Sequence, residues 1–282
     1  MTKADDTFDV RTDNPEMWNL LLRLSGDALE AVAYSVVEDG SLVRRRFGLG
    51  AVQPRQWLGA VEGVIYDNPA LLSDFRRVYC VVETKEYAVV PTALTATDGD
   101  QESRLRLLFG EAFPASGLEA VAEPTGMRGA TVIAGFTPEL RSFIGRTFQR
   151  VSLTSHISAL CRYTALRTGQ GNKPRMIANI RPSSLDVIVS DGGSLLAANT
   201  FSFATDADAV YYLLALRKRL GLDPRSDELL IAGDQQTRER LTPMLRTYVG
   251  RVMPMIFPPQ MFKAGKEAML APFDLIISPL CE

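Results

Sequence analysis

The sequence predicts an α/β protein built from two copies of one structural unit around a cleft. The first observation is that three strand-like runs, divided by turn residues, follow residue 17 and recur after residue 174. The second is that helical periodicity and a further apolar strand follow each group of three. Both halves therefore have the order βββαβαβ, which indicates a duplicated fold with two mixed sheets.

The composition is that of a folded protein with no basic excess. The chain has 282 residues, 46% of them hydrophobic, and 31 Lys and Arg against 33 Asp and Glu give a net charge of −2. This is enough apolar material for one large core or two ordinary ones, and it leaves no positive surplus for phosphate backbones. We therefore expect no nucleic-acid ligand.

The cysteines and the first residues predict a location. Cys80, Cys161 and Cys281 are far apart, which argues against a disulfide framework or a zinc site and favours a reducing compartment. Residues 1–16 are polar and acidic, unlike a secretory signal or an anchor, and no run approaches the roughly 18 apolar residues of a spanning helix. We expect a cytoplasmic protein without membrane insertion, with a flexible arm at residues 1–17.

The first unit begins with a meander and a crossing helix. Its turns are Ser25-Gly26-Asp27 and Asp39-Gly40, and Asp-Gly is typical of a hairpin because both residues tolerate positive φ. From Pro54 the apolar residues recur every three or four positions until Asn68-Pro69, which predicts a helix. The predicted strands are Asn19–Leu24, Ala28–Val37, Leu42–Leu49 and Arg77–Glu83.

The middle of the chain has a less regular pattern, and we expect insertions between residues 88 and 127. It contains extended segments and amphipathic helices in alternation, the last of which has Ile157 and Leu160 on its buried side. The extended segments are Glu86–Pro91, Leu118–Ala122, Ala130–Phe136 and Arg150–Leu153, and the helices are Glu102–Phe113, Pro138–Phe148 and Ser155–Arg167.

The second unit follows a turn-rich stretch from Thr168 to Pro174. Asp191-Gly192-Gly193 is another hairpin signature, and Thr205 is placed to cap a helix that Gly221 ends. The other predicted elements are strands Met176–Ile180, Ser184–Ser190, Ser194–Phe203, Asp227–Ala232 and Arg251–Ile256, and helix Gln235–Tyr248. We place the two subdomains at residues 18–150 and 151–282.

Several of these segments resemble known families. Met176-Ile-Ala-Asn-Ile180 and Leu229-Leu-Ile-Ala-Gly-Asp234 are similar to pilus-assembly actin-like proteins, which share the plan of actin, sugar kinases and heat-shock ATPases. Tyr87-Ala-Val-Val-Pro91 and the ending from Phe273 to Glu282 resemble the bacterial domain-of-unknown-function 3822 family. The resemblance implies a duplicated ribonuclease-H-like fold, that of the actin-like ATPases.

The resemblance also implies where ATP and Mg²⁺ would bind. In active relatives each half opens with a Gly-containing turn that holds phosphate, and a carboxylate orients the metal ion. The first turn here keeps Ser25, Gly26 and Asp27, although the carboxylate follows the glycine. On the adenosine side only Gly233 and Asp234 remain of the expected turn, without its second glycine.

The second phosphate turn departs furthest from the active pattern. Asn179 occupies the place of an aspartate, and Arg181 occupies the place of a glycine and would clash with phosphate. Pro182 removes an N–H donor, and Ser183 and Ser184 follow it. We therefore expect no appreciable ATP hydrolysis, while nucleotide binding without turnover stays open.

Two further features have competing interpretations. Arg44, Arg45 and Arg46 alternate in a strand, and charge of this kind protects an edge strand, although contact with an anion or an acidic partner is the alternative. His156 starts a helix beside several serines, and we interpret it as a residue at a domain joint rather than part of a catalytic triad. No sequence pattern predicts a metal site.

The functional hypothesis is a docking module for another protein, because docking survives the loss of phosphate-binding residues. Ile256, Phe257, Met261 and Phe262 are apolar and lie near three prolines, which favours a partner-binding segment over residues 256–262, with sealing of the second core as the alternative. An ATPase or small-molecule kinase of weak activity is the second hypothesis. A nuclease ranks third, because the early strands lack a set of convergent carboxylates.

Overall fold

Two five-stranded mixed sheets and one three-stranded antiparallel sheet form the molecule. The structure is a computed structural model, and it describes residues 8, 14–38, 40–95, 100–168, 174–257 and 265–281. The predicted duplicated α/β architecture is confirmed, since each five-stranded sheet arises from a βββαβαβ run. None of the helices in these ranges is long and apolar enough to cross a membrane.

The first sheet has the strand order β3-β2-β1-β4-β8. Strand β1 pairs antiparallel with β2 and parallel with β4, so the leucine-rich β1 lies at the centre and is buried along nearly its whole length. Its elements are β1 (Trp18–Leu24), β2 (Ala28–Ser35), β3 (Leu42–Gly48), α1 (Trp57–Asp67), β4 (Arg77–Val82), α3 (Pro138–Thr147) and β8 (Val151–Ser155).

The third sheet is the insertion expected in the middle of the chain. Its order is β5-β7-β6, and α2 covers one face with a small core of Leu105, Phe109 and Ile133. The two strands predicted here, Leu118–Ala122 and Ala130–Phe136, therefore form a three-stranded sheet together with the extended segment Glu86–Pro91. The elements are β5 (Tyr87–Pro91), α2 (Gln101–Ala112), β6 (Glu119–Pro124) and β7 (Ala130–Phe136).

The second large sheet repeats the first with the order β11-β10-β9-β12-β13. Gly192 and Gly193 both have positive φ, 53° and 84°, and join Asp191 directly to Ser194, as the hairpin signature predicts. Thr205 forms a capping box with Asp208. The elements are β9 (Arg175–Ile180), β10 (Ser184–Asp191), β11 (Ser194–Ser202), α5 (Asp206–Arg219), β12 (Glu228–Gly233), α6 (Gln235–Arg246) and β13 (Val252–Pro254).

Helix α4 (His156–Thr168) joins the two units. It follows β8 without a loop, and its residues Ile157 and Leu160 share one buried cluster with Val82 of the first sheet and Ile188 of the second. The core is therefore continuous across the junction, and the first turn of α4 lies between the two sheets.

The C-terminal residues return to the first sheet. Helices α7 (Lys266–Leu270) and α8 (Phe273–Ile276) follow β13, and Leu275 and Ile276 pack with Leu21 and Val81 in one buried cluster. Strand β8 also pairs with β4 of the first sheet. A boundary between residues 150 and 151 would separate β8 and the C-terminal helices from the first sheet, which buries them. We therefore propose that the second unit comprises only residues 175–255.

Two smaller expectations differ from the structure, and a third concerns a turn that is described only in part. Phe8, within the arm expected to be flexible, is only 3% exposed and belongs to the largest buried cluster, because its ring adds to that core. The last predicted strand is limited to Val252–Pro254, since only three of its residues pair with β12. In the Asp39-Gly40 turn, Gly40 has φ 88° and Asp39 lies outside the described residues.

Candidate functional site

A cavity of about 480 Å³ lies between the two large sheets, where three turns approach one another. The turns are those between β1 and β2, between β9 and β10, and between β12 and α6. The C-terminal segment from Met269 to Asp274 forms a further wall. Seven of the eight predicted site residues line this cavity, namely Ser25, Asp27, Asn179, Ser183, Ser184, Gly233 and Asp234, and Gly26 does not.

The β1–β2 turn is stabilised by its own side chains. The Ser25 hydroxyl donates to Asp27 Oδ1 over 2.8 Å and accepts from the Ala28 N–H over 3.1 Å. The second Asp27 oxygen pairs with Arg46 at 2.6 Å. Gly26 has no positive φ, and a Cβ built on it would meet nothing within 4 Å. The glycine is therefore not required by the local geometry, and the carboxylate already has two partners.

The β9–β10 turn directs an arginine into the cleft. Arg181 closes the turn with its N–H on the Ser184 carbonyl at 2.8 Å, and its Nε donates to the Ser184 hydroxyl at 2.9 Å. The guanidinium then reaches Asp186 at 2.8 Å and Glu83 of the first sheet at 3.0 Å. The turn that was expected to bind phosphate therefore carries the guanidinium of Arg181.

The turn after β12 has a different role for each of its two residues. Gly233 has φ 93°, and a Cβ on it would lie 2.0 Å from the Ile180 carbonyl oxygen, so only glycine fits here. Asp234 caps α6, because its Oδ1 accepts from both the N–H and the hydroxyl of Thr237, at 2.8 and 2.7 Å. Its N–H donates to Ile180 O at 2.7 Å. This turn holds β12 against β9.

A chain of ion pairs crosses the cavity from one sheet to the other. Asp274 of α8 pairs with Arg23 Nε at 2.9 Å, and Arg23 Nη2 pairs with Glu83 at 2.9 Å. Glu83 also faces Arg181, which pairs with Asp186 of β10. Burial alone would lower the pKa of Arg23, but the charges of Asp274 and Glu83 raise it above its ordinary value. Arg23 therefore stays charged within the core.

Asp186 is the buried end of this chain. It is 0% exposed and receives Thr200 Oγ1 at 2.8 Å and Asn179 Nδ2 at 3.2 Å, while His156 Nε2 lies 3.3 Å away. Burial would raise the pKa of Asp186, but the interactions with His156 and Arg181 outweigh it and hold that pKa below its ordinary value. His156 lies at the domain joint, as its sequence position predicts, with its Nε2 3.3 Å from Asp186 Oδ1.

The rim of the cavity carries the arginines of β3. Arg44 pairs with Glu30 at 3.1 Å and Arg46 pairs with Asp27, while Arg45 lies over the Phe47 ring on the other face. Strand β3 is an edge of its sheet, as predicted. Of the residues that the structure describes, four arginines and five carboxylates line the cavity, a net charge of −1, which does not favour a polyphosphate.

Most of the charged side chains at the cavity are already paired with one another. Among the described residues, no three His, Cys, Asp or Glu side chains are grouped so that they could hold a metal ion. Two of the carboxylates on the phosphate side serve their own turns, and the others face arginine. A divalent cation would have to displace these arginines before it gained a ligand.

Sequence reasoning did not identify the side chains that link the two sheets. Arg23 and Asp186 each interrupt a strand of buried apolar residues, and a charge at such a position has to be paired. That signal was present in both strands. The partners Glu83 and Asp274 lie 60 and 251 residues from Arg23, so no local pattern joins them.

Comparisons with known proteins agree with this geometry. The model of the family described as "Protein of unknown function (DUF3822)" matches residues 5–252. The chain therefore belongs to that family, as its motifs predict. A comparison with curated protein sequences gave no match.

Two solved structures have the same fold. A Bacteroides thetaiotaomicron protein described as having an actin-like ATPase fold and unknown function is 22% identical, with a TM-score of 0.71 over 88% of this chain and 94% of that one. The PilM–PilN type IV pilus biogenesis complex contains a chain that is 15% identical, with a TM-score of 0.61 over 95% of this chain and 98% of that one. The fold is thus that of the actin-like ATPases.

Proposed function

We propose that this chain is a cytoplasmic, non-catalytic docking module whose actin-like cleft is closed by its own ion pairs. The observation that carries the proposal is the position of Arg181, which stands in the phosphate turn and pairs with Glu83 across the cleft at 3.0 Å. A phosphate group at this turn would have to displace a cation that already has two carboxylate partners.

The carboxylates support the same proposal. Phosphoryl transfer is mostly positioning and neutralisation of charge by Mg²⁺, which requires free oxygen ligands. Asp27 is bound by Ser25 and Arg46, and Asp234 caps α6. Within the described residues, the aspartates of these two turns are therefore already engaged, and we expect the fold to keep its shape without nucleotide turnover.

Contact with another protein is the use we infer for such a fold. A similar chain occurs in a complex, PilM with PilN, and a docking role needs no hydrolysis. Of the segment predicted to bind a partner, Ile256 is 61% exposed, whereas the Phe257 ring packs on Phe273 with centroids 5.6 Å apart. Residues 258–262 lie outside the described residues. We assign the partner contact to Ile256 and the sealing role to Phe257.

The docking proposal is tested by affinity capture from the native cell. Wild-type chain and an Ile256→Asp variant of equal thermal stability are used as bait. We expect one protein to be recovered by the wild type and lost by the variant. Recovery of every wild-type partner by the variant would remove Ile256 from the interface.

A second candidate is nucleotide binding with weak turnover. Asn179 is 2% exposed, its Nδ2 is fixed by Asp186, and its Oδ1 is buried without a hydrogen-bond partner among the described residues. An acceptor of this kind at the cavity wall could accept a hydrogen bond from a water bound to Mg²⁺. Calorimetry with Mg-ATP separates this candidate from the first.

A further inference from the structure

A second pocket, separate from the cleft, is lined by a cation that has no anionic partner within the described part of the chain. It has a volume of about 360 Å³ and shares no lining residue with the cleft cavity. It lies where β8, α4, the end of β6 and the C-terminal turn meet. Its lining residues among those described are Tyr79, Pro124, Ser152, Thr154, Arg162, Ser278 and Cys281, so one arginine and none of the described carboxylates face it.

Arg162 is half-buried and makes few hydrogen bonds through its guanidinium. Its Nη2 donates to Thr154 Oγ1 at 2.6 Å, while its Nε is buried and has no hydrogen-bond partner among the described residues. No carboxylate of the described residues lies within ion-pair distance of it, in contrast to the paired arginines of the cleft. A buried donor that is unpaired, on a charged group, is costly unless something else satisfies it.

Glu123 shares the Thr154 hydroxyl with Arg162, but it cannot fill this role because it is already saturated. Glu123 receives Thr154 Oγ1 at 2.7 Å, the Ser155 N–H at 3.0 Å, the Ser158 hydroxyl at 2.8 Å and the Ser155 hydroxyl. It thus caps the first turn of α4 and meets Arg162 only through the Thr154 hydroxyl. The positive charge remains directed at the pocket.

We propose that this pocket binds a small oxyanion, the phosphate or carboxylate group of a ligand, on Arg162. A guanidinium presents a planar fork of donors that matches two oxygens of such a group. The Ser152 hydroxyl is placed on the same wall, and Ser278 donates to Leu275 O at 2.7 Å, which leaves its lone pairs for a protonated oxygen. The volume fits a small molecule larger than the anion itself.

The test is a low-salt titration of the full chain with inorganic phosphate and, separately, succinate, followed by calorimetry. We expect saturable binding of at least one probe, and Arg162→Gln should weaken it about tenfold or more. Arg46→Gln, at the rim of the cleft, is the matched control and should leave the affinity unchanged. Phosphate binding alone or succinate binding alone identifies which of the two groups the ligand carries.

A second measurement needs no variant. Cys281 lines the same pocket and is 9% exposed, whereas Cys80 and Cys161 are 0% exposed; because burial raises the pKa of Cys281 to about 11, its alkylation is followed at alkaline pH by mass spectrometry. Saturating probe should slow this alkylation severalfold in the wild type. The proposal is overturned if neither probe binds, or if binding is lost in Arg46→Gln and kept in Arg162→Gln, or if bound probe leaves the alkylation rate of Cys281 unchanged.

Discussion

Arg181 Nη1 of the second unit lies 3.0 Å from Glu83 Oε1 of the first, and this ion pair spans the cleft at the place where a phosphate turn is expected. The same Glu83 holds Arg23, and the same Arg181 holds Asp186. The two units are therefore joined by a chain of ion pairs at the cleft cavity.

Removal of Arg181 should destabilise the fold, because it leaves the buried Asp186 without its arginine. We expect Arg181→Ala to lower the free energy of unfolding by about 3 kcal/mol, the cost of breaking a buried pair. Urea unfolding measures it. Arg46→Ala, which removes an exposed ion pair, is the control and should cost less than about 1 kcal/mol. Equal costs for the two variants would contradict a structural role for the cross-cleft pair.

The coupling of Arg181 and Glu83 is measured by a double-mutant cycle. Combined with Glu83→Gln, Arg181→Ala should destabilise less than the sum of the single variants, with an interaction energy of about 1 kcal/mol or more. Glu83 retains Arg23 in the Arg181 variant. Strict additivity would mean that the contact across the cleft contributes nothing.

Stability at acid pH should depend on Asp186. Its folded-state pKa is lowered, so the unfolded chain binds more protons in acid, and stability rises with pH through that range. The contribution is present above the ordinary pKa of an aspartate, about 3.9, and is lost as pH falls towards the lower folded value. Asp186→Asn should therefore flatten the urea-midpoint curve below about pH 4. If the urea midpoint of Asp186→Asn falls with acid as steeply as that of the wild type, Asp186 is not the group responsible.

The two glycines predicted in the turns should differ sharply. Gly233→Ala places a Cβ 2.0 Å from Ile180 O at φ 93°, and we expect a loss of about 3 kcal/mol or failure to fold. Gly26→Ala meets open space and should change stability by less than about 1 kcal/mol. Thermal unfolding of the two variants gives the comparison. A destabilising Gly26→Ala would show a constraint on the first turn that its geometry lacks.

Phe257 and Ile256 form a matched pair for the C-terminal segment. The Phe257 ring contacts Phe273, so Phe257→Ser should lower the free energy of unfolding by about 3 kcal/mol. Ile256 is 61% exposed, and Ile256→Ser should leave stability within about 0.5 kcal/mol. Denaturant unfolding distinguishes them. If Phe257→Ser is as stable as the wild type, Phe257 does not seal the core and belongs to the docking surface instead.

Local sequence patterns predict much of the fold, but they do not predict the contacts of the site. The period of the apolar residues locates β1, and paired glycines locate the turn at Gly192, because these signals act over a few residues. The first sheet gains β8 and the C-terminal helices only through tertiary packing. The eight candidate residues were found by resemblance, whereas the ion pairs that cross the cavity depend on contacts such as Arg23 with Asp274, 251 residues apart.

Turnover of nucleotide is the most direct test of a closed, non-catalytic cleft. The full chain is titrated with Mg-ATP in a calorimeter and then assayed for phosphate release. We expect no ATP turnover above the buffer blank, because Arg181 and its carboxylate partners occupy the side of the cleft where phosphate was expected to bind. Steady phosphate release by the wild type that disappears in Asp27→Ala would contradict it.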